Sequence, residues 1–207
     1  LAWSRGLGDV YKRQAQGQTP SGQTVLVGTS LERESVDSHD IGVYYVAANL
    51  SLGAAYFTYD YKNLVVGIDD PVTGLPKQVN YDEASILGFE FQGEYTFNDA
   101  FSAYLTYGFN DAEYGKNDDV DGIINYEGNQ YRFSPEFSYA VGVRFNTDKL
   151  RSTLSWNYID DVFFEASNDP DTLQEGYGLL NASVEYQVTD ALTLGLYGKN
   201  ILDKEYL

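Results

Sequence analysis

Hydrophobic and polar side chains alternate along most of this chain with a period of two residues. The alternation is clearest over residues 87–97 and 101–110, where leucine, phenylalanine and tyrosine occupy one parity and glycine, threonine, glutamate and asparagine occupy the other. A period of two is the repeat of a β-strand, whose successive side chains point to opposite faces. The polar segment Asn98-Asp99-Ala100 separates the two runs. The pattern therefore predicts antiparallel strands joined as hairpins.

Eight strands of this kind follow one another, and their connections alternate between short and long. The strands are predicted near residues 41–46, 50–61, 87–97, 101–110, 137–146, 150–158, 180–188 and 192–198, and the long loops near 62–83, 111–135 and 161–176. Transmembrane barrels have short turns at one end and long loops at the other. We therefore predict an all-β, antiparallel, up-and-down transmembrane β-barrel, with its apolar face toward lipid and its polar face toward the lumen.

Composition and charge narrow the function classes. The net charge of −18 argues against nucleic acid as a partner, because phosphate binding needs clustered Lys and Arg. That charge fits solvated loops and a polar lumen, or else a funnel that attracts cationic or metal-bearing ligands. The chain has no Cys and one His, His39, so it offers no disulfide framework and no catalytic constellation. We expect a non-enzyme without a cofactor.

The beginning of the chain does not share the alternation. Residues 1–14 show no useful period and resemble translated adapter sequence, so we expect a non-native leader followed by a barrel region over residues 15–207. Residues 15–24 are rich in Gln, Gly, Ser and Thr and are predicted to be loop, with a short strand at Val25-Leu26-Val27. The chain has no Met, which favours a fragment over a chain with its natural start.

Three segments carry a family resemblance. The segment Gly198-Lys199-Asn200-Ile201-Leu202-Asp203-Lys204-Glu205-Tyr206 resembles the Gly-x-Asn-Leu-x-Asp-x-x-Tyr motif near the end of TonB-dependent outer-membrane receptors. Gly88-Phe89-Glu90 is similar to a strand start in that family. Ser38-His39-Asp40-Ile41-Gly42 matches a third family segment in part, since the family has Tyr-Glu where this chain has His39-Asp40.

The resemblance implies a barrel fragment with a role in transport. It implies about eight strands of a barrel of about 22 strands, lacking the final strand, the plug domain and the TonB-contacting segment. By resemblance the whole protein takes up a scarce solute, such as a siderophore, a vitamin or an oligosaccharide, across the outer membrane of a Gram-negative bacterium. Its implied partners are outer-membrane lipid, TonB, the plug domain and the extracellular solute. The alternatives are a passive porin or small structural eight-stranded barrel, and a soluble β-rich binding protein.

Candidate sites in the sequence are few. Asn117, Asp119 and Asp121 have the spacing of calcium ligands, but the twelfth position of such a loop is Gly128 rather than Glu. This incomplete calcium loop is the strongest metal candidate, and we expect no metal site and no catalytic residues.

Charged and aromatic side chains on the polar parity are expected to line the lumen. Glu90, Glu94 and Glu185 share that parity with Arg144 and Arg151. The glutamates would contact the plug or line the water-filled wall, or else pair with the arginines across neighbouring strands. Lumenal aromatic side chains would either stack on a ligand or pack on the plug; they are Tyr44, Phe57, Tyr59, Tyr61, Tyr104 and Tyr197.

Overall fold

The computed structural model describes residues 14–18, 24–28, 31–69, 74, 76–118 and 125–207. Its first two strands, β1 (Gln14–Gln18) and β2 (Thr24–Gly28), pair as an antiparallel hairpin. The strand predicted at Val25-Leu26-Val27 is confirmed, but the loop predicted over residues 15–24 is wrong where β1 lies. The mostly polar residues of β1 show no alternation that predicts a strand. They form one because their backbone groups pair with those of β2. Residues 1–13 of the predicted leader lie outside the described residues.

The remaining strands form one large sheet and one small one. In chain order they are β3 (Ser35–Val46), β4 (Leu50–Asp69), β5 (Pro76–Asn98), β6 (Phe101–Tyr114), β7 (Phe137–Asn146), β8 (Leu150–Ile159), β9 (Val162–Phe163), β10 (Leu173–Gln174), β11 (Tyr177–Thr189) and β12 (Leu192–Gly198). The large sheet has eight strands in the order β12-β11-β8-β7-β6-β5-β4-β3, while β9 pairs with β10. The predicted all-β, eight-stranded meander is confirmed.

The chain divides into two compact units. One comprises residues 1–38, 59–85 and 114–128, and the other comprises residues 39–58, 86–113 and 129–207. Among the described residues, no helix is long and apolar enough to cross a bilayer.

Strands β4 and β5 are far longer than predicted. They contain 20 and 23 residues, so most of the loop predicted over 62–83 is strand. The side chain of Asn80 on β5 donates to the backbone oxygen of Asn63 on β4 at 2.7 Å and to that of Glu32 at 3.1 Å. A membrane crossing needs only about 9–11 residues of tilted strand. The outer parts of β4 and β5 are therefore longer than a crossing needs, and they bury the side chains of Leu64, Val66, Tyr81 and Ala84.

Short polar turns join the strands at one end of the sheet, as predicted. The Asn98 Oδ1 atom accepts hydrogen bonds from the backbone N–H groups of Ala100 at 2.9 Å and Phe101 at 3.0 Å. The Thr147 Oγ1 atom accepts one from the N–H of Leu150 at 3.0 Å. Asn and Thr suit these places because a short side chain satisfies backbone groups that the ladder leaves unpaired.

The family-like segment after β12 folds into a compact turn. Asn200 adopts a left-handed conformation with φ of 48°, which Asn tolerates better than most residues. Its side chain exchanges two hydrogen bonds with the backbone of Lys204, each of 2.9 Å. Tyr206 then stacks on Tyr177 of β11, with ring centroids 4.4 Å apart and an angle of 10°. The spacing of Asn and Tyr in the motif thus ties the segment back onto the sheet.

Several glycines in the sheet are covered by aromatic rings. Gly88 lies under the ring of Phe57, and a Cβ atom at Gly88 would overlap that ring. At Gly142 a Cβ atom would lie 2.6 Å from the ring of Tyr104, which is its partner across β6 and β7. The aromatic ring covers backbone that the glycine leaves bare, so each pair fixes neighbouring strands in register.

We expect Gly88→Val to destabilise the protein by about 1–3 kcal/mol, because the new side chain must displace the Phe57 ring. Gly67→Val is the matched control, since nothing lies within 4 Å of a Cβ atom at Gly67 on β4. Denaturant unfolding in detergent micelles measures both. Equal losses of stability in the two variants would contradict the role of the ring, and Phe57→Ala should restore part of the stability lost in Gly88→Val.

Candidate functional site

One face of the sheet carries an aromatic band near the long loops. Tyr107, Phe137, Tyr139 and Tyr158 lie on β6, β7 and β8 and form a continuous stack. Their ring centroids are 6.3 Å apart for Tyr107 and Phe137, 5.6 Å for Phe137 and Tyr158, and 5.2 Å for Tyr139 and Tyr158. Tyrosine rings at this level suit a membrane–water interface, because each ring is apolar and its hydroxyl is polar.

The same face carries a second aromatic band near the short turns. Tyr95 and Phe97 have ring centroids 4.8 Å apart, and Phe97 and Phe101 have ring centroids 5.3 Å apart. Phe145 lies opposite Phe101 in the ladder. Along β7 the two bands are separated by about 27 Å of strand, or about 20 Å of height after tilting. This separation is close to the apolar band of about 25 Å that transmembrane barrels present to lipid.

The surface between the bands is apolar and uncovered. Leu105, Val141 and Leu154 lie there with exposures of 39%, 44% and 47%. Uncovered apolar side chains between two aromatic bands are the pattern of a lipid-facing wall.

The opposite face carries the polar side chains that the sequence placed in the lumen. Arg144 on β7 donates to the Glu94 carboxylate on β5 at 2.7 Å, and its guanidinium lies 4.2 Å from the ring centroid of Tyr104. The Ser102 hydroxyl donates to the same carboxylate at 3.3 Å. Arg144 thus meets a glutamate of the same face, but the pair spans β6 and does not join neighbouring strands as predicted. Because both side chains are over a third exposed, at 37% and 42%, the pair contributes at most about 1 kcal/mol.

Arg151 and Glu185 are two other residues predicted to face the lumen. Arg151 lies opposite Glu185 in the ladder of β8 and β11. The Glu185 carboxylate accepts a hydrogen bond from the Tyr197 hydroxyl on β12. Parity thus found the face of these residues, while the register decided which hydroxyl reaches the carboxylate.

A tyrosine cluster holds the long connection between β6 and β7 against the outer part of β5. Tyr81 is fully buried, and its hydroxyl accepts a hydrogen bond from the backbone N–H of Tyr126 at 3.0 Å. The same hydroxyl lies 3.0 Å from the backbone oxygen of Gly115, to which it donates. The rings of Tyr81, Tyr114 and Tyr126 pack together with centroid separations of 5.2, 6.2 and 5.6 Å. Sequence analysis missed this cluster because its members are brought together only by pairing.

Tyr81 lies beyond the membrane-spanning part of β5. It precedes the short turn at Asn98 by about 56 Å of strand, more than a tilted crossing uses. Burial raises the pKa of the Tyr81 hydroxyl above its ordinary value of 10.0, and the negative charges of Glu127 and Asp82 raise the pKa further. The hydroxyl therefore stays protonated and keeps its donated hydrogen bond at neutral pH.

A second set of contacts ties the same connection to the loop that precedes β11. The side chain of Asn168 exchanges two hydrogen bonds with the backbone of Gln130, of 2.7 and 2.9 Å. The Asn129 side chain donates to the backbone oxygen of Ala166 at 2.8 Å. We call these contacts the loop clasp. They make the two loops one surface at the long-loop end of the sheet.

The predicted calcium loop is described only in part. Asn117 is buried, with 8% exposure, and its Oδ1 atom accepts a weak hydrogen bond of 3.4 Å from the backbone N–H of Asp82. Asp119 and Asp121 lie outside the described residues, so the calcium candidate stays a prediction. Among the residues that the structure describes, no three His, Cys, Asp or Glu side chains lie close enough to hold a metal ion.

A family model described as "TonB dependent receptor-like, beta-barrel" matches residues 1–201. The chain therefore belongs to that family, and the suspected membership and the barrel fold class are confirmed. The match crosses the predicted boundary at residues 14 and 15, and that boundary stays a prediction.

The relatives and the structural neighbours are larger receptors. The pesticin receptors of Yersinia enterocolitica and Yersinia pestis are each 25% identical over 207 residues, which cover 95% of this chain and 29% of theirs. The ferric yersiniabactin uptake receptor FyuA from Yersinia pestis superposes with a TM-score of 0.73 at 22% identity, over 92% of this chain and 28% of that one. The siderophore receptor PiuA from Acinetobacter baumannii has a TM-score of 0.67 at 24% identity, over 83% and 25%. The chain thus spans less than a third of the length of these relatives.

We expect Leu154→Arg to destabilise the folded state in lipid by about 2–4 kcal/mol, because it places a charge at mid-height on the lipid-facing side. Ser155→Arg is the matched control, since the adjacent side chain points to the polar face. Equilibrium unfolding in phospholipid vesicles measures both variants. A larger loss in Ser155→Arg would reverse the assignment of the two faces.

We expect Tyr81→Phe to loosen the segment around Tyr126 by about 1–3 kcal/mol, because the Tyr126 N–H loses its acceptor. Amide hydrogen exchange of Tyr126 reports the change. Tyr61→Phe is the control, as the Tyr61 hydroxyl has no hydrogen bond within the described ranges. Unchanged exchange at Tyr126 in Tyr81→Phe would mean that ring packing alone holds the segment.

The same cluster predicts a dependence on alkaline pH. A raised pKa in the folded state means that folding favours the protonated hydroxyl, so this contribution is complete below pH 10 and is lost as pH rises through the raised pKa. Exchange at Tyr126 should therefore accelerate above pH 10 in the unsubstituted protein and change less in Tyr81→Phe, after correction for intrinsic exchange rates.

Proposed function

We propose that this chain forms part of the barrel wall of a receptor that imports a scarce solute through the outer membrane of a Gram-negative bacterium. The observation that carries the proposal is the family match over residues 1–201. The two aromatic bands and the apolar surface between them support a lipid-facing wall. The long loops at the opposite end from the short turns then face the cell exterior.

The chemistry of the solute is proposed from the relatives. The neighbours named above include a ferric yersiniabactin uptake receptor and a siderophore receptor. We therefore favour an iron chelate over a vitamin or an oligosaccharide as the solute. The remaining proposed partners are outer-membrane lipid, a plug domain in the whole protein, and TonB as the source of energy. We propose no catalytic activity.

The wall and the outer loops have different tasks in this proposal. Neighbouring strands are held together by paired backbone and by rings over glycines, which makes the wall rigid. The loop clasp and the tyrosine cluster hold the outer connections in place, so a solute meets a prepared surface. A prepared surface binds with less loss of conformational entropy than a loose one.

We expect the complete gene, recovered from the source DNA and expressed in a Gram-negative host without its own iron-chelate receptors, to support uptake of radiolabelled iron chelates. Uptake should be lost in a matched host that lacks TonB, because transport against a gradient needs energy from the inner membrane. Equal uptake in both hosts would instead indicate the passive porin. An absence of uptake, with the protein present in the outer membrane, would contradict the receptor proposal for the chelates tested.

A further inference from the structure

A cavity opens on the apolar side of the sheet, between β8, the start of β11 and the segment after β12. Its volume is about 540 Å³, and Trp156 and Tyr158 of β8 are among its lining residues. The indole ring of Trp156 covers Gly178, where a Cβ atom would lie 2.0 Å from that ring. A cavity of this size is large enough to hold a small molecule or one end of a larger one.

The lining of the cavity changes from apolar to polar along β8. Leu154, Trp156 and Tyr158 occupy alternate positions of one face, about 7 Å apart along the strand. Leu154 belongs to the apolar surface and is 47% exposed. Tyr158 belongs to the aromatic band near the long loops, where it stacks on Tyr139 with centroids 5.2 Å apart. The cavity therefore extends from the apolar surface to the level of a membrane–water interface.

The segment after β12 brings charged residues to that interface level. The N–H of Ile201 donates to the backbone oxygen of Leu180 at 2.9 Å, and Tyr206 stacks on Tyr177. The segment thus runs beside β11 toward the long loops, and residues 203–205 line the cavity. Tyr158 pairs with Gly178 in the ladder, next to Tyr177, so these charged residues lie near the ring of Tyr158.

The three charged residues alternate in sign. Asp203 and Glu205 are negative, and Lys204 between them is positive. Among the residues that the structure describes, none of the three forms an ion pair. An anionic group would meet two carboxylates for one ammonium, while a cationic group would leave the ammonium without a partner. A group that carries both signs satisfies all three charges.

We propose that this cavity binds a zwitterionic phospholipid, whose headgroup carries an ammonium and a phosphate. The phosphate would pair with the Lys204 ammonium, and the lipid ammonium with Asp203 and Glu205. The aromatic lining adds an attraction for the lipid ammonium, and the acyl chains continue over Trp156 and Leu154. An acyl chain alone would leave the charges without partners. The inference rests on the proposed function, because that function places this side of the sheet in lipid.

The cavity is tested with Trp156 as the reporter in the 207-residue chain. Trp3→Phe in every sample leaves Trp156 as the single tryptophan of the chain. The protein is placed in vesicles of equal parts phosphatidylethanolamine and phosphatidylglycerol, with brominated acyl chains on one lipid or the other. Both lipids have the phosphate, and only phosphatidylethanolamine has the ammonium. Quenching of Trp156 fluorescence by each brominated lipid then gives the ratio of the two lipids at the cavity.

We expect phosphatidylethanolamine to be enriched over phosphatidylglycerol at Trp156 by at least about threefold, as partly exposed ion pairs allow. Asp203→Asn combined with Glu205→Gln should abolish the enrichment, because the lipid ammonium loses its partners. Asp203 has φ of 52°, which Asn adopts readily, so this variant should fold as the parent does. Asp190→Asn, at the other end of the same hairpin, is the control and should keep the enrichment.

The phosphate contact is tested with a third lipid, a brominated diacyl trimethylammonium propane that has no phosphate. Lys204→Gln should raise the quenching by this lipid relative to phosphatidylethanolamine by about threefold, because the phosphate no longer gains an ion pair. Lys199→Gln removes the same charge outside the cavity lining, so it should change the ratio much less. Equal changes in the two lysine variants would reduce the effect to the net charge of the chain and overturn the phosphate contact.

A lipid ratio at Trp156 equal to that of the vesicles would overturn the proposal. So would an enrichment that persists in the variant without Asp203 and Glu205. Absence of quenching by every brominated lipid would show that Trp156 does not face lipid, and the proposed wall would fall with the cavity. Iron uptake by the complete receptor decides the proposed import separately, since uptake without lipid enrichment would leave that function standing.

Discussion

Backbone hydrogen bonding in hydrocarbon is the constraint on which the rest of this structure depends. No water reaches the bilayer core, so each N–H and C=O of a crossing strand must pair with a neighbouring strand. Strands that are consecutive in the chain meet this demand with the shortest connections, and the sheet accordingly runs β12-β11-β8-β7-β6-β5-β4-β3. The side chains on the two faces of the sheet can then differ, with apolar side chains toward lipid and polar side chains toward the lumen.

The division between the faces explains most of the composition. Leucine, valine and aromatic side chains are exposed on one face, which would be a fault in a water-soluble sheet and is a requirement beside lipid. The polar face holds the Arg144–Glu94 pair and the glycines under Phe57 and Tyr104. These glycines leave bare backbone that the neighbouring rings cover. The polar face thus holds strands in register through shape as well as through charge.

Beyond the membrane the constraint relaxes, and specific side-chain contacts replace it. The outer parts of β4 and β5 continue as paired strands with polar residues, and Asn80 bonds to backbone on both sides. Tyr81 and the loop clasp then hold the connection between β6 and β7 by hydrogen bonds to its backbone.

The sequence by itself determined the eight alternating strands, the short turns such as the one at Asn98, the two faces and the family, because each rests on residues that are neighbours in the chain. Parity alone placed Arg144 and Glu94 on one face. Only the tertiary structure decided that residues 62–83 are mostly strand, that Glu185 meets Tyr197, and that Tyr81 lies under Tyr126. The physical reason is the same in each case. These contacts join residues far apart in sequence, and they depend on a register that no local period records.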